Sequence, residues 1–187
     1  MLAAECAWAI LRAEHARSRE LLRRLDAAAS TGEAGACVQR RASSAIRVIE
    51  RFQAFEESTH RPKGVVMLDM LRGRSDEADR LLEQLDAESE RCARLLARAK
   101  AALKRAEAGD AAASAEADSL LQQHRQIMYV HLDKEDTLLH SQTALLLTPE
   151  EWAKVVSSMS KQVRAAKERE GRRPQLHARE AKSPRPG

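Results

Sequence analysis

One helical turn separates an imidazole from a carboxylate in the run His131-Leu132-Asp133-Lys134-Glu135-Asp136. Residues four apart share a helix face, so His131 and Glu135 point the same way, with Asp136 just round the curve. An imidazole beside a carboxylate inside a helical bundle is a common means of holding non-haem iron or a related ion. His15 and His60 fall on the apolar faces of two other predicted helices. His15 follows Leu11 by a turn, and His60 follows Phe52 and Phe55, one turn after Glu56. His124 precedes His131 by two turns, about 10 Å along the axis, which is too far to share one ion. It reads as core or as a residue supporting a ligand from behind, while His140 at a helix end and His177 in the tail read as solvated. A histidine on an apolar face can also be a hydrogen-bonded core residue, and the spacing leaves both readings open.

The elements that must position these groups are helices. A first runs from about residue 3 to 29, with Trp8, Leu11, His15, Ser18, Leu22 and Leu25 at spacings of three and four. A second starts near Cys37 and runs through Ile46, Ile49, Phe52 and Phe55 to His60. Pro62 lies in its continuation, where a helix interior loses about 3 kcal/mol, and Gly64 follows. The expectation is a kink or break before a short apolar turn, residues 65–71. Ser75 caps a third helix over about 76–106, and Gly109-Asp110 turns the chain into a fourth over about 112–140. Thr148-Pro149-Glu150-Glu151 has the cap, first-turn proline and acid of a helix start, and opens a shorter fifth. Long helices joined by short connections predict an all-α, antiparallel up-down-up-down four-helix bundle over residues 1–170. The prolines and charges of residues 171–187 predict a disordered basic tail.

Composition agrees. Aromatics are 3% of 187 residues and there are 7 glycines, which leaves little material for a sheet. The formal charge of +4 sits entirely in residues 171–187, so the bundle is neutral. Five basic residues without aromatics predict at best a weak, salt-sensitive contact with nucleic acid or anionic lipid, and a solvated tail is the expectation. No apolar run is long enough to span a membrane. Glu5, with no basic segment before the apolar residues, argues against a signal peptide. Cys6, Cys37 and Cys92 are odd in number and far apart, which fits reduced thiols of a bacterial-type cytoplasm rather than a disulfide or zinc scaffold. No phosphate loop, nucleophile elbow or His-Glu-x-x-His is present, and the chain is not expected to be an enzyme.

Taken in order, "AEHARSRELLRRL" (13–25), "VIERFQAFEESTH" (48–60), "LDAESERCARLL" (85–96), "HLDKEDTLLH" (131–140) and "TPEEW" (148–152) make the chain resemble the hemerythrin-like, HHE cation-binding family over about residues 10–157. The resemblance implies a four-helix bundle holding non-haem iron, commonly as a pair, and binding oxygen or nitric oxide or sensing redox state or iron. It implies His15, His60, His131 and Glu135 (or Asp136) as ligands. Two departures limit this. Where the family reads His-His-x-Lys-Glu-Glu, the chain has His60-Arg61-Pro62-Lys63-Gly64-Val65, so a carboxylate has become Gly64. The third-helix histidine position falls on Ser89, between Glu88 and Glu90. Two cations a few Å apart need bridging carboxylates, so the expected site is at most mononuclear. The ligand would be O₂ or NO. The rival reading is a metal-free helical interaction or scaffold protein that has lost its metal centre.

Overall fold

The computed structural model describes residues 2–30 and 38–180. It is helical throughout: α1 (Leu2–Ser30), α2 (Val38–Phe55), α3 (Arg61–Leu71), α4 (Asp76–Glu107), α5 (Ala111–Lys134), α6 (His140–Leu146) and α7 (Pro149–Glu180). Two π-helical turns, Glu56–His60 and Glu135–Leu139, join α2 to α3 and α5 to α6 without a break. The result is four long rods, α1, α2–α3, α4 and α5–α6, with α7 as a fifth helix.

Local chemistry explains the ends. Ser75 accepts a hydrogen bond from Ala78 N–H at the start of α4, and Asp110 accepts one from Ala113 N–H at the start of α5. Each satisfies a donor that has no partner within its helix. Gly73 and Gly109 close the preceding helices with φ of 72° and 100°, a conformation that glycine adopts without a Cβ penalty. At α7, Thr148 and Glu151 cap each other reciprocally, at 2.9 and 3.3 Å.

Pro62 does not break the second rod. Arg61 N–H donates to the Glu56 carbonyl five residues back, and α3 begins there with the proline in its first turn. The missing donor and the ring bulk of proline thus fall where a helix tolerates them. The second π turn lies inside the predicted fourth helix, where His140 N–H reaches the Glu135 carbonyl. The fifth helix continues past Gly171, the expected start of the tail, to Glu180, and residues 181–187 lie outside the described residues.

Around the bundle, α1 packs on α2 and α5, and α4 packs on α2 and, most extensively, on α5. α7 covers α1 and α3. The core has two apolar clusters. One joins Leu22, Ile49, Phe52, Leu96, Leu121 and Leu132; the other joins Trp8, Leu11, Met67, Leu71, Leu82, Leu139 and Trp152. Each fully buried leucine contributes about 1.5–3 kcal/mol to folding. Between the clusters lies a layer of buried polar side chains, among them His15, Ser18, His60, Lys63 and His131.

Candidate metal centre

Each π turn touches this polar layer. The first ends on His60, and the second begins on Glu135. A π turn takes one more residue than an α turn, so it changes the face that the following residues present, and such turns recur at functional sites. α1 brings His15 and the end of α5 brings His131. The three rings are 1%, 8% and 5% exposed, so little of each ring meets solvent.

Glu135 stands at the centre. Its Oε2 lies 3.2 Å from His15 Nε2 and 3.9 Å from His60 Nε2, and its Oε1 lies 3.7 Å from His131 Nε2. One donor atom each from His15, His60 and Glu135 lie within 4.8 Å of one another. His131 faces the other carboxylate oxygen, outside that tightest group.

The opposite ring nitrogens each face an outer carboxylate. His15 Nδ1 is 2.6 Å from Asp136 Oδ1, His60 Nδ1 is 3.0 Å from Glu56 Oε2, and His131 Nδ1 is 3.4 Å from Glu88 Oε2. The outer carboxylates are themselves anchored. Asp136 accepts from Arg19 at 2.8 Å, Glu56 from Ser18 Oγ at 3.0 Å, and Glu88 from Lys134 Nζ. A carboxylate on the far nitrogen fixes the tautomer and aims the near nitrogen, which is how metal-ligating histidines are commonly oriented.

Electrostatics follow this arrangement. Burial works to raise the pKa of Glu135, but the adjoining His15 ring and the charges of His131, His60 and His15 outweigh it and bring it to about 2. Burial likewise opposes ionisation of Glu56, and its bonds from His60 and Ser18 prevail, leaving its pKa lowered. Burial disfavours the charged form of His60, yet Glu56, Glu135 and Glu14 together raise its pKa. Asp136 is lowered by Arg19 and His15 against its own burial. Even so, Glu135 Oε2, Glu88 Oε2 and His131 Nδ1 are buried without a hydrogen-bond partner. Lys63 adds a buried pair with Glu14 beside the cluster.

The donor set suits a cation. Around the layer are five carboxylates (Glu14, Glu56, Glu88, Glu135, Asp136) and three permanent cations (Arg19, Lys63, Lys134). With the three histidines neutral, two negative charges remain, which one divalent ion balances. Imidazole and carboxylate donors suit Fe(II) or Zn(II).

Against known proteins, the family model of the hemerythrin HHE cation-binding domain matches residues 6–142. The chain belongs to the hemerythrin HHE cation-binding family. No curated protein and no solved structure matches it. The hemerythrin domain covers all four rods, and α7 begins beyond its last matched residue.

Of the residues that the sequence offers, His15, His60 and Glu135 converge, and His131 approaches the same carboxylate. Asp136 lies outside that group, on the outer nitrogen of His15. Glu56, one turn before His60, lies outside the centre and braces His60 from behind. Glu88 was not singled out, although its position beside Ser89 was the available signal. His124 is fully buried, with neither ring nitrogen partnered and its ring edge-on to Phe52 at 5.5 Å. His140, expected in solvent, is half-buried against Trp8, with ring centroids 4.8 Å apart. Gly64 and Ser89 both line a cavity of about 480 Å³ that reaches His15, His60, His131 and Glu135. Cys6 is exposed and Cys92 buried, both as free thiols, and Cys37 lies outside the described residues.

Proposed function

We propose that the chain binds one non-haem iron ion through His15, His60, His131 and Glu135, and serves as a sensor or carrier of O₂, NO or cellular redox or iron state rather than as an enzyme. The observation that carries this reading is the common plan of three imidazoles, each facing Glu135 with one nitrogen and an anchored outer carboxylate with the other. A set of hydrogen-bonded core histidines has no need to face a single carboxylate that keeps a buried oxygen unpartnered.

One ion, not two, fits these residues. Glu135 is the sole carboxylate at the centre among the described residues, and Gly64 supplies no bridge. Asp136 and Glu56 are committed to ring nitrogens and to Arg19 and Ser18, and Glu88 is bonded to Lys134. Iron would supply a coordination position open to a diatomic ligand. The chain's own residues orient the imidazoles and hold Glu135 ionised. A change of charge at the centre would be felt first by Glu135, whose backbone opens the second π turn. That turn is the element through which the signal would reach α6. None of the described helices is long and apolar enough to cross a membrane, which is compatible with a cytoplasmic setting.

Metal analysis of protein produced with iron tests this directly. The expected content is about one ion per chain, falling below about 0.1 in His131→Ala or Glu135→Ala. Chelation should lower Tm by about 5–10 °C, because binding energy is folding energy. Negligible iron together with a melting curve indifferent to chelator would establish the metal-free scaffold instead.

A further inference from the structure

The two departures from the family pattern meet in space. Gly64 on α3 and Ser89 on α4 face the same cavity, whose floor is the histidine cluster. The cavity is a cleft between these helices, because α3 packs chiefly on α7 and touches α4 only lightly. Its α3 wall is Arg61, Gly64, Val65, Leu68, Asp69 and Arg72, at helical spacings of three and four. Leu82, Leu85, Asp86, Ser89 and Glu90 make the α4 wall, and Leu11, Met67 and Leu139 close the depth. At about 480 Å³ it has the volume of a small-molecule pocket rather than of a diatomic's channel.

Charge at the rim is uneven. Asp86 is paired with Arg72 at 3.0 Å, and Glu90 with Arg94 at 3.2 Å. Arg61 is exposed and has no ion-pair partner among the described residues. Asp69 stands eight residues further along the helix, about 12 Å away along its axis, at the opposite end of the cleft. Arg61 therefore lies at the centre's end of the cleft that Ser89 also lines, and leucine side chains run away from it.

We infer that the cleft binds a monocarboxylate with an apolar body. Its head lies between Arg61 and the open side of the metal centre, and its tail lies along Leu68, Leu82 and Leu85. The inference rests on the metal-binding reading, since without a cation Glu56 and Glu135 would repel the head. It extends that reading from a diatomic ligand to an organic acid held where the family's further ligands are lost.

Octanoate and acetate, titrated by calorimetry into zinc-loaded protein, are the test. Octanoate is expected to bind about 100-fold more tightly than acetate, since its extra methylenes leave water in the cleft. Gly64→Leu fills the space, and a Cβ there meets only Leu68 Cδ1, at 3.9 Å, so the helix should form normally. This variant and Arg61→Gln should each weaken octanoate by about 10-fold or more while holding as much metal as the parent chain. Metal content is measured on the same samples. A chain that loads metal but shows no dependence on acid length, or no loss in either variant, overturns this inference and leaves the metal reading standing. A chain that loads no metal overturns both.

Discussion

At the scale of single residues, His124 is the counterpart of the three converging histidines. It shares a helix with His131, yet it lies among Phe52, Cys92 and Met128 with no partner for either nitrogen. Burial pushes its pKa down from 6.5 to about 4, the nearby Glu56 charge offsetting only part of this. The sign of the linkage follows. Below about pH 6.5 the unfolded chain takes up a proton that the folded chain refuses until about pH 4. Stability is therefore complete above that window and is lost as pH falls through it, by up to about 3 kcal/mol for a shift of this size. His124→Leu keeps similar bulk and removes the unpartnered imidazole. Urea unfolding at pH 7 and pH 4.5 should show a smaller loss of stability in the variant than in the parent, and an equal loss would rule out a neutral buried His124. The sequence distinguished this residue from the metal candidates by axial distance alone. Glu56 one turn before His60 and Glu88 beside Ser89 were visible by position only, because a glutamate on a helix face looks the same whether it is solvated or bracing a histidine.

At the scale of elements, the helices and their caps were legible, and the π turns were not. Ser75, the Gly109-Asp110 turn and the Thr148–Glu151 cap carry side-chain chemistry that names a boundary. A π turn depends on one extra residue within a continuous helix, and no residue type announces it. Pro62 pointed to the right place: an irregularity lies just before it, and of the expected kink or break the rod shows no break. Deleting Thr59 would turn the first π turn into an α turn, keep α3 in register with α2, and set Glu56 three rather than four residues before His60, so that the contact aiming the ring is remade. Circular dichroism should then show nearly unchanged helix content, while metal affinity falls by about 10-fold or more. Retained affinity would mean that the turn is incidental to the site. The clustering in the polar layer was legible where faces repeat, at His15, His60 and His131. The division of labour between Glu135 and Asp136 was not, because it depends on how the second π turn and α1 meet.

At the scale of the whole molecule, the up-down-up-down arrangement follows from rod lengths and short connections, and α7 adds cover over α1 and α3. The losses at Gly64 and Ser89 were visible in the sequence, but the cleft between them was not, since it exists only because α3 leans on α7. The polar layer has a consequence of its own. It separates the cluster around Ile49 and Leu96 from the cluster around Trp8 and Leu82, so little apolar contact ties one end of the bundle to the other. A cation bonded by residues from three rods would join the ends into one cooperative unit. With metal removed, amide hydrogen exchange in α4 should divide, with residues near Leu82 opening at lower free energy than those near Leu96. Adding metal should bring both to a common value. Uniform protection in the chelated protein would mean that the backbone alone couples the halves. On this view the ion acts as a clasp between two sub-structures of unequal stability, and its loss would loosen one end of the bundle while the other stays folded.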